Sequence, residues 1–317
     1  MKVLVTGAAG FIGSTTAEMM VAQGMDVTAL DNLCAGDAAN VPDGATFVNG
    51  SVGDRSLIAS LGYFDACVHF AAYFAPGESM KSPESFFSNN VAETFELLHG
   101  LVENGVPKFV FSSSCAVYGD RVTTPIDEAH STRPHSPYGE SKLMVENGLS
   151  WMATLGRLRS CSLRYFNAAG GSARHPERHV PEVHLIPLAL AAAAGDRDGL
   201  ELYGESYPTR DGTCVRDYVN VTDLAAAHIL AIDALDHHEQ LTLNLGTGVG
   251  YTNREVLDAV QRVTGATFEV RVVAPRPGDP AEAVASNQLA RDVLGWSPEN
   301  SHLDAIVSDA WDAYRGI

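Results

Sequence analysis

The amino-terminal segment constrains the fold of this chain more than any other part of it. Residues 2–6 are mainly apolar and run directly into Gly7-Ala8-Ala9-Gly10-Phe11-Ile12-Gly13. A helical pattern follows as far as Gly24, and a second apolar run, residues 25–30, ends at Asp31. A strand, a glycine-rich turn, a helix, a strand and an acidic residue, in that order, predict a βαβ unit that binds a dinucleotide.

Each glycine of this turn has a mechanical reason. We predict that Gly7 permits the tight turn, that Gly10 lets the backbone approach a pyrophosphate, and that Gly13 lets the helix pack closely on the sheet. The N-terminus of the helix attracts the anion. Asp31 can hydrogen-bond both hydroxyls of a ribose, and its charge would repel a 2′-phosphate. The pattern therefore favours NAD over NADP.

Strand-like and helical runs alternate through the first half of the chain. The strand-like runs are 2–6, 25–30, 45–49, 66–71, 108–113 and 160–166, and the helical patterns between them include 83–103 and 137–154. This alternation predicts an α/β fold, a Rossmann-type doubly wound parallel sheet with a smaller α/β substrate-binding lobe. We assign residues 1–167 to the NAD-binding domain and 168–317 mainly to the lobe, with a segment near 214–240 returning to the first domain.

The second half is richer in turns, and its predicted helices are shorter. They are 222–235, 254–264 and 303–315. Thr252 and Glu255 form a capping-box pattern at the start of the second of these helices.

Composition narrows the classes of partner and the compartment. The chain has 317 residues, five cysteines and a formal net charge of −18. So large a surplus of acidic side chains argues against nucleic acid or an anionic membrane as a partner. The longest apolar run, 185–194, is too short to span a bilayer, and we expect no signal peptide. The cysteines lack CxxC spacing, which favours reduced thiols, a cytoplasmic protein and no metal site.

Tyr138 and Lys142 lie four residues apart in a segment that we expect to be helical. Ser136 fits an N-cap and Pro137 fits the first turn. Residues i and i+4 share a face of a helix, so the ammonium group would lie near the phenol. A free tyrosine has a pKa of about 10, and an adjacent cation lowers it. The pair therefore predicts a tyrosine that acts as a base at neutral pH.

Asp31, Ser114, Tyr138 and Lys142 together resemble the extended short-chain dehydrogenase/reductase family. Further segments resemble the UDP-glucose 4-epimerases (UDP-galactose 4-epimerases) within that family, and this resemblance covers nearly the whole chain. These segments are His69-Phe70-Ala71-Ala72, Gly77-Glu78-Ser79, 112–119, Arg164-Tyr165-Phe166-Asn167, His184-Leu185-Ile186-Pro187, Tyr207-Pro208-Thr209, 211–218 and Asn244-Leu245-Gly246. The segments at 207–209 and 211–218 are the most specific.

The resemblance implies a reversible oxidation at carbon 4 that interconverts UDP-glucose and UDP-galactose with a bound NAD. Tyr138 would take the proton of the 4-hydroxyl, Ser114 would hydrogen-bond that oxygen, and Lys142 would hold the nicotinamide ribose. The 4-ketose would turn about its pyrophosphate and take the hydride back on its other face. The resemblance also implies a homodimer formed by the helices around 83–103 and 137–154.

The resemblance further implies two sets of binding residues. Those expected to contact NAD are Gly7, Gly10, Phe11, Ile12, Gly13, Asp31, Asn32, Ser51, Val52, Phe70, Ala71, Ala72, Phe74, Asn90, Ser112, Tyr138, Lys142 and Phe166. Those expected to bind the UDP-sugar are Ser114, Asn167, His184, Leu185, Tyr203, Arg216, Arg276, Asp279 and Ala283. Arg216 and Arg276 are candidates for the pyrophosphate, since a guanidinium is a planar donor of several hydrogen bonds. A surface ion pair with Asp217 is the alternative for Arg216.

Three positions depart from the family pattern or set specificity within it. Ser51 stands where an aspartate commonly binds the adenine, and Phe74 stands where a lysine or histidine often contacts the nicotinamide ribose. We therefore expect weaker retention of NAD. Ala283 occupies a position where a tyrosine excludes N-acetylated sugars, so we hypothesise that UDP-GlcNAc and UDP-GalNAc are accepted.

Other activities of the superfamily remain as alternatives. Dehydratases usually carry Asp-Glu directly after the catalytic serine or threonine, whereas Cys115-Ala116 stand there in this chain. A 4-epimerase of a UDP-pentose or UDP-uronate would use the same catalytic residues. An NAD-binding regulator without activity typically loses the tyrosine or lysine, and both are present.

Overall fold

The computed structural model describes residues 1–119, 123–172, 174–175, 177, 182–276 and 279–316. Its strands, β1 to β13 in chain order, are Lys2–Thr6, Asp26–Asp31, Thr46–Asn49, Ala66–His69, Lys108–Ser114, Arg159–Tyr165, Asn167–Ala169, Gly199–Tyr203, Val215–Asn220, Gln240–Leu245, Gly250–Thr252, Glu269–Val273 and Glu282–Ala283. Its α-helices, α1 to α11, are Phe11–Ala22, Arg55–Leu61, Pro76–Ser79, Pro83–Phe86, Glu93–Glu103, Pro137–Thr154, Leu185–Ala194, Val221–Ala234, Asn253–Thr264, Gln288–Leu294 and Leu303–Arg315.

Seven strands form the large sheet in the order β10-β6-β5-β4-β1-β2-β3. All six neighbouring pairs are parallel. The strand order reverses between β1 and β4, so the loops that follow these two strands diverge and leave a crevice at the carboxyl edge of the sheet. The predicted doubly wound α/β fold is confirmed.

Each face of this sheet is covered by helices, so apolar side chains of its central strands are buried on both faces. Val3 and Val5 of β1 pack into one core cluster with residues of α1 and α8. Leu4, between them in sequence, packs into the other cluster with residues of α5 and α6. Successive side chains of a strand point to opposite faces, so one short strand supports both layers.

The elements after residue 166 are divided among two small sheets and the large sheet. Strand β9 pairs with β7, β11 and β13, and β8 pairs with β12. Helices α7, α9 and α11 enclose a third core cluster beside them. In contrast, α8 packs on α1, and β10 joins the large sheet beside β6. The division into domains at residue 167 stays a prediction.

Most element bounds agree with the sequence prediction to within two residues. The bounds of α6 and α11 are the predicted ones, and Thr252 and Glu255 form the predicted capping box of α9. The helical prediction over residues 83–103 is confirmed, but the helix is not regular throughout. A π-helical turn, Phe87–Ala92, separates α4 from α5. A π-turn inserts one extra residue between hydrogen-bonded neighbours, a feature that helical periodicity does not encode and that is frequent at functional sites.

Candidate active site

The glycine-rich turn after β1 has the predicted geometry at two of its three glycines. Gly7 has a φ of +68°, and a Cβ there would lie 2.6 Å from the backbone nitrogen of Ala71. A Cβ at Gly13 would lie 2.1 Å from the carbonyl oxygen of Gly7. A Cβ at Gly10 would meet only that same oxygen, at 3.3 Å. The tight turn and the close helix packing are confirmed, whereas the approach of a pyrophosphate to Gly10 stays a prediction.

The N-terminus of α1 suits an anion. Its N-cap, Gly10, supplies no side-chain hydrogen bond, and the first turn, with Phe11 and Ile12, contains no acidic residue. The N–H groups of such a first turn, together with the helix dipole, form an anion-binding site. This donor set fits the pyrophosphate of a dinucleotide.

Asp31 ends β2 beside this turn. Its carboxylate accepts hydrogen bonds from the backbone nitrogens of Ala9, at 2.9 Å, and Leu33, at 2.8 Å. A carboxylate offers about four lone-pair directions, so acceptor capacity remains for ribose hydroxyls. The neighbouring Asn32 accepts from the backbone nitrogen of Cys34 at 3.0 Å.

Ser51 has a partner that its sequence context did not indicate. Its hydroxyl donates to Oε2 of Glu93 at 2.7 Å and accepts from the backbone nitrogen of Gly53 at 3.0 Å. The serine proton is therefore committed to Glu93, and one lone pair remains for another donor. Val52, the next residue of this predicted cofactor segment, is buried.

The segment after β4 runs beside the glycine-rich turn. Ala71 is the residue that Gly7 contacts, and the ring of Phe70 lies 4.6 Å from that of His228. Phe74 stacks on His184, with ring centroids 5.8 Å apart and planes inclined by 25°. Ala72, between them, is half-buried. Phe74 thus bridges the segment after β4 to the start of α7.

Asn90 lies in the π-helical turn and is 2 % exposed. Its side-chain amide donates to the carbonyl of Tyr73 at 3.0 Å and to the hydroxyl of Ser141 at 3.1 Å, and it accepts from the nitrogen of Tyr73 at 2.8 Å. The amide therefore ties the segment after β4 to the helix α6. Its predicted contact with the cofactor stays a prediction.

Ser114, Tyr138 and Lys142 lie together at the carboxyl edge of the large sheet. Ser114 is the last residue of β5, and Tyr138, hydrogen-bonded to it, lies in the first turn of α6. The ammonium of Lys142 donates to the carbonyl of Ser112 at 2.8 Å and lies 5.8 Å from the centroid of the Tyr138 ring. Ser136 caps this helix through the nitrogen of Gly139 at 3.1 Å. The predicted shared face of α6 is confirmed.

The protein groups alone do not lower the pKa of the tyrosine, contrary to the expectation from its neighbouring lysine. Burial raises the pKa of Tyr138 to about 12, although the hydrogen bond with Ser114 opposes this shift. Burial also lowers the pKa of Lys142 to about 7, and the nearby Glu146 carboxylate opposes that shift. Desolvation outweighs the mutual effect of the pair, which sequence spacing could not reveal.

The predicted substrate residues Tyr203, Arg216, Arg276 and Asp279 form one cluster at the ends of β8 and β12 and beside β9. The guanidinium of Arg276 lies 3.8 Å from the centroid of the Tyr203 ring. Arg216 lies 3.6 Å from Asp279, and its Nη1 donates to the carbonyl of Pro280 at 2.9 Å. Residues 277 and 278 of this loop lie outside the described residues.

The alternative for Arg216, an ion pair with Asp217, is wrong. The Asp217 carboxylate is buried and accepts hydrogen bonds from the backbone nitrogens of Thr247, Gly248 and Ala285. Asp217 therefore anchors the loops beside β9, whereas Arg216 pairs with Asp279. Arg216 and Asp217 are consecutive residues of β9, so their side chains point to opposite faces of the strand. This alternation explains why the two side chains do not pair.

Three further predicted residues surround β9. The amide of Asn167, on β7, donates to the carbonyl of Asp217 at 2.9 Å. Ala283, on β13, is paired with Arg216 in the parallel register and is 2 % exposed. Phe166 belongs to the same small apolar cluster as Ala283.

His184 and Leu185 begin α7, as its N-cap and first residue. The Nδ1 atom of His184 lies 2.9 Å from Glu177 and 2.8 Å from Glu182. Burial lowers the pKa of this histidine, but the two carboxylates raise it to about 10 in net effect. The ligand atoms of these three residues lie close enough together to hold a metal ion. A protonated imidazole has no lone pair for a metal, however, so the histidine acts as the counter-ion of the two carboxylates.

Sequence reasoning missed the residues beneath Ser114, Tyr138 and Lys142. Glu146 lies one helical turn beyond Lys142 on α6, and Arg164 of β6 forms a buried ion pair with it, at 2.5 Å. The guanidinium of Arg164 also donates to the hydroxyl of Tyr118 at 3.0 Å. The i, i+4, i+8 spacing from Tyr138 through Lys142 to Glu146 was the available signal.

Residues 3–246 match the family model described as the NAD dependent epimerase/dehydratase family. The chain belongs to this family. It is 45% identical over 316 residues to a UDP-glucose 4-epimerase of Streptomyces lividans, covering 98% of this chain and 95% of the relative. A UDP-glucose 4-epimerase of Lacticaseibacillus casei is 42% identical over 98% of this chain and 96% of its own length.

A solved structure of a family member is also similar over the whole chain. It is a UDP-glucose-4-epimerase from Stenotrophomonas maltophila with bound NAD and formylated UDP-arabinopyranose, with a TM-score of 0.96 and 38% identity. The match covers 99% of this chain and 98% of that one. The resemblance to the UDP-glucose 4-epimerases is thereby confirmed. Among the described helices, none combines the length and hydropathy needed to cross a bilayer.

Proposed function

We propose that this protein interconverts UDP-glucose and UDP-galactose by transient oxidation at carbon 4 of the hexose, with NAD as a bound cofactor. The observation that carries this proposal is the grouping of Ser114, Tyr138 and Lys142 at the carboxyl edge of the sheet whose first strand leads into the dinucleotide-type turn. Relatives up to 45% identical over nearly the full chain carry this activity in their names.

The NAD site is formed by the turn at Gly7 to Gly13, the N-terminus of α1 and Asp31. The donors of the turn would hold the pyrophosphate, and the carboxylate would accept from the adenosine ribose. Because Asp31 is negatively charged, it would oppose a 2′-phosphate. Bound NAD supplies a nicotinamide that accepts the hydride from carbon 4 and returns it.

Tyr138 takes the proton from the 4-hydroxyl of the sugar in this proposal. Ser114, hydrogen-bonded to the phenol, orients the same oxygen and shares the proton. Lys142 contributes positive charge beside the phenol and donors for the nicotinamide ribose. Since the protein groups leave the pKa of Tyr138 at about 12, the positive charge of the bound cofactor is needed to bring it toward neutrality.

Arg216 and Arg276 hold the pyrophosphate of the substrate. Their guanidinium groups lie at neighbouring positions of the β8, β9 and β12 cluster, and each offers several donors to phosphate oxygens. Tyr203 would pack near the uracil, Asp279 would accept from the uridine ribose, and Asn167, His184 and Leu185 would line the same site. The chain carries a net charge of −18, so these cations act against a repulsive overall field.

Ala283 supports a wider range of hexoses. It lies in register with Arg216, which we assign to the pyrophosphate, and it carries only a methyl group where a tyrosine would place a ring. We propose that UDP-GlcNAc and UDP-GalNAc are also accepted.

We also propose that the protein is a homodimer formed through α5 and α6. Met144, Trp151 and Leu155 recur at helical spacing along α6 and are 41%, 68% and 67% exposed. Phe95 of α5, 38% exposed, packs against Gly148 in the middle of this stripe. Large apolar side chains grouped on one exposed face typically mark an interaction surface.

The test is turnover by the purified protein without added cofactor. UDP-galactose, UDP-GalNAc, UDP-arabinose and UDP-galacturonate are incubated separately, and the products are resolved by anion-exchange chromatography. We expect UDP-galactose to be converted to UDP-glucose, and the variant Tyr138→Phe to lose at least about 100-fold of that rate, since it lacks the proton acceptor. Absence of any product, also after NAD is added, would contradict the proposal.

A further inference from the structure

Three side chains lie along one face of α6, at intervals of four residues. Tyr138 and Lys142 belong to the proposed reaction, and Glu146 continues the same stripe one turn further from the substrate. Lys142 and Glu146 are buried, at 3% and 6% exposed. Burial of a carboxylate costs desolvation free energy unless the group is fully paired, so the partners of Glu146 need to be identified.

Glu146 is held by two neighbouring strands of the large sheet. Its Oε1 accepts from the hydroxyl of Ser113 on β5 at 2.5 Å and from Nε of Arg164 on β6 at 2.9 Å. Its Oε2 accepts from Nη2 of Arg164 at 2.5 Å. The carboxyl group is thus fixed in position between the strand that ends in Ser114 and the next strand of the sheet.

Arg164 is itself anchored on its far side. Its Nη1 donates to the hydroxyl of Tyr118, which donates to Oδ1 of Asn244 at 2.6 Å. The amide of Asn244 donates in turn to the carbonyl of Ile126 at 3.0 Å. These hydrogen bonds hold Arg164 from the side that faces away from α6. The ion pair of Glu146 and Arg164 therefore supports the end of β5 in a fixed position.

The groups that surround Lys142 make Glu146 its nearest source of negative charge among the described side chains. Phe111 and the Ser112 carbonyl face it from β5, with the Phe111 ring centroid 4.9 Å from the ammonium. His69 faces it from β4, and burial lowers the pKa of that histidine to about 3, so the ring is neutral. Tyr138 is the remaining titratable neighbour on α6.

We propose that Glu146 is a positioning residue for the epimerase reaction. Its carboxylate, fixed by Arg164 and Ser113, keeps Lys142 protonated within a desolvated site and holds the end of β5 where Ser114 meets the phenol. This inference rests on the proposed function for its catalytic readout. It does not require Glu146 to touch the substrate or the cofactor.

Loss of the Glu146 charge should shift the pKa values of Lys142 and Tyr138 in defined directions. The pKa of Lys142, already lowered by burial to about 7 and supported by Glu146, would fall further. Lys142 would then lose its proton at a lower pH, and the phenol of Tyr138 would lose a neighbouring cation, which raises its pKa. At any given pH, a smaller fraction of the protein would hold a charged lysine together with an ionised tyrosine.

The experiment compares the variants Glu146→Gln and Glu146→Asp with the wild-type holoenzyme. For Glu146→Gln we expect kcat for UDP-galactose to fall at least about 10-fold at neutral pH with little change in KM, and the alkaline limb of the pH profile to move down by about one unit. Glu146→Asp keeps the charge while it disturbs the same packing, so it should restore the position of the limb.

A second readout does not depend on turnover. The phenolate absorbance of Tyr138 is titrated as the difference between Glu146→Gln and the double variant Glu146→Gln/Tyr138→Phe, and it should appear at a higher pH than in the wild-type pair. If Glu146→Gln does not fold because Arg164 is left unpaired, the neutral pair Glu146→Gln/Arg164→Gln is measured instead and should show the same directions.

The outcomes separate the two proposals. Unshifted limbs and an unshifted phenolate titration in Glu146→Gln would overturn the inference, as would equal losses in Glu146→Gln and Glu146→Asp. A wild-type protein that converts none of the UDP-sugars would instead contradict the proposed function, and the phenolate titration would still decide whether Glu146 sets the charge of the site.

Discussion

At the scale of residues, three consecutive serines at the end of β5 have three different tasks. The carbonyl of Ser112 accepts from the lysine of the site, the hydroxyl of Ser113 donates to the buried carboxylate, and Ser114 is hydrogen-bonded to the phenol. Alternation along the strand directs Ser113 to the opposite side from its neighbours. The partners on α6 are Tyr138, Lys142 and Glu146.

The sequence was sufficient to predict part of this arrangement. Helical periodicity is local, so the shared face of Tyr138 and Lys142 follows from their spacing alone. The pairing of Glu146 with Arg164 is not local, because a residue of β6 meets α6 only when the helix packs on the sheet. The pKa of Tyr138 was also beyond sequence reasoning, since it depends on how deeply the phenol is buried.

Selectivity among sugars is a prediction for a single residue. The variant Ala283→Tyr should lower kcat/KM for UDP-GalNAc relative to UDP-galactose by about 10-fold or more, because the ring would take the space of the acetamido group. Both substrates are assayed on the same preparation, so any loss of folded protein from overpacking this buried site cancels in the ratio. An unchanged ratio, or wild-type turnover of UDP-GalNAc below a thousandth of the UDP-galactose rate, would contradict the hypothesis.

At the scale of elements, helix ends explain segments that the family resemblance singled out as specific. Asp211, at the start of the 211–218 segment, accepts from the hydroxyl of Thr252 at 2.5 Å and from the nitrogen of Thr213 at 2.8 Å. Thr252 is also the N-cap of α9 and accepts from the nitrogen of Glu255 at 3.1 Å. The aspartate of that segment therefore supports the start of α9.

The variant Thr252→Ala should reduce the free energy of unfolding by about 1–3 kcal/mol, measured by urea denaturation. It removes a helix cap and leaves the Asp211 carboxylate without one of its donors. Thr252→Ser keeps the hydroxyl and should lose less than about 1 kcal/mol. Equal losses in the two variants would indicate that the methyl group, and not the cap, stabilises this site.

The π-helical turn is the detail of its helical segment that the sequence did not indicate. Residues 83–103 read as one helix because their apolar spacing is helical on both sides of the turn. The extra residue at Phe87–Ala92 places Asn90 in a buried position, where its amide binds Tyr73 and Ser141. A tertiary hydrogen-bond network thus overrides the local period.

At the scale of the whole molecule, the fold could be predicted better than the arrangement of its second half. Alternating runs specify βαβ units, and the parallel sheet follows from them. The return of α8 and β10 to the large sheet has a weaker signal in the local sequence than the βαβ units have. Strand β9, which directly precedes α8, belongs to the four-stranded sheet and not to the large one.

The proposed homodimer gives a prediction at this scale. The variant Trp151→Glu should convert a dimer into a monomer in sedimentation velocity, since it places a charge in the centre of the apolar stripe of α6. Leu289→Glu is the matched control. Leu289 is 40% exposed on α10, which packs on α8 and β10 at another part of the sheet, so its substitution should leave the dimer intact. A wild-type protein that sediments as a monomer would contradict the proposal.

The strand order of the large sheet also has a consequence for synthesis on the ribosome. Strand β10 lies at the edge beside β6, yet it follows β6 in the chain by more than seventy residues, and α8, which covers α1, arrives only shortly before it. A nascent chain that has released residues 1–167 therefore presents the bare edge of β6 and the uncovered apolar side of α1. Such surfaces bind other unfinished chains readily, so translation of the segment up to Leu245 is the interval in which this protein most needs a chaperone.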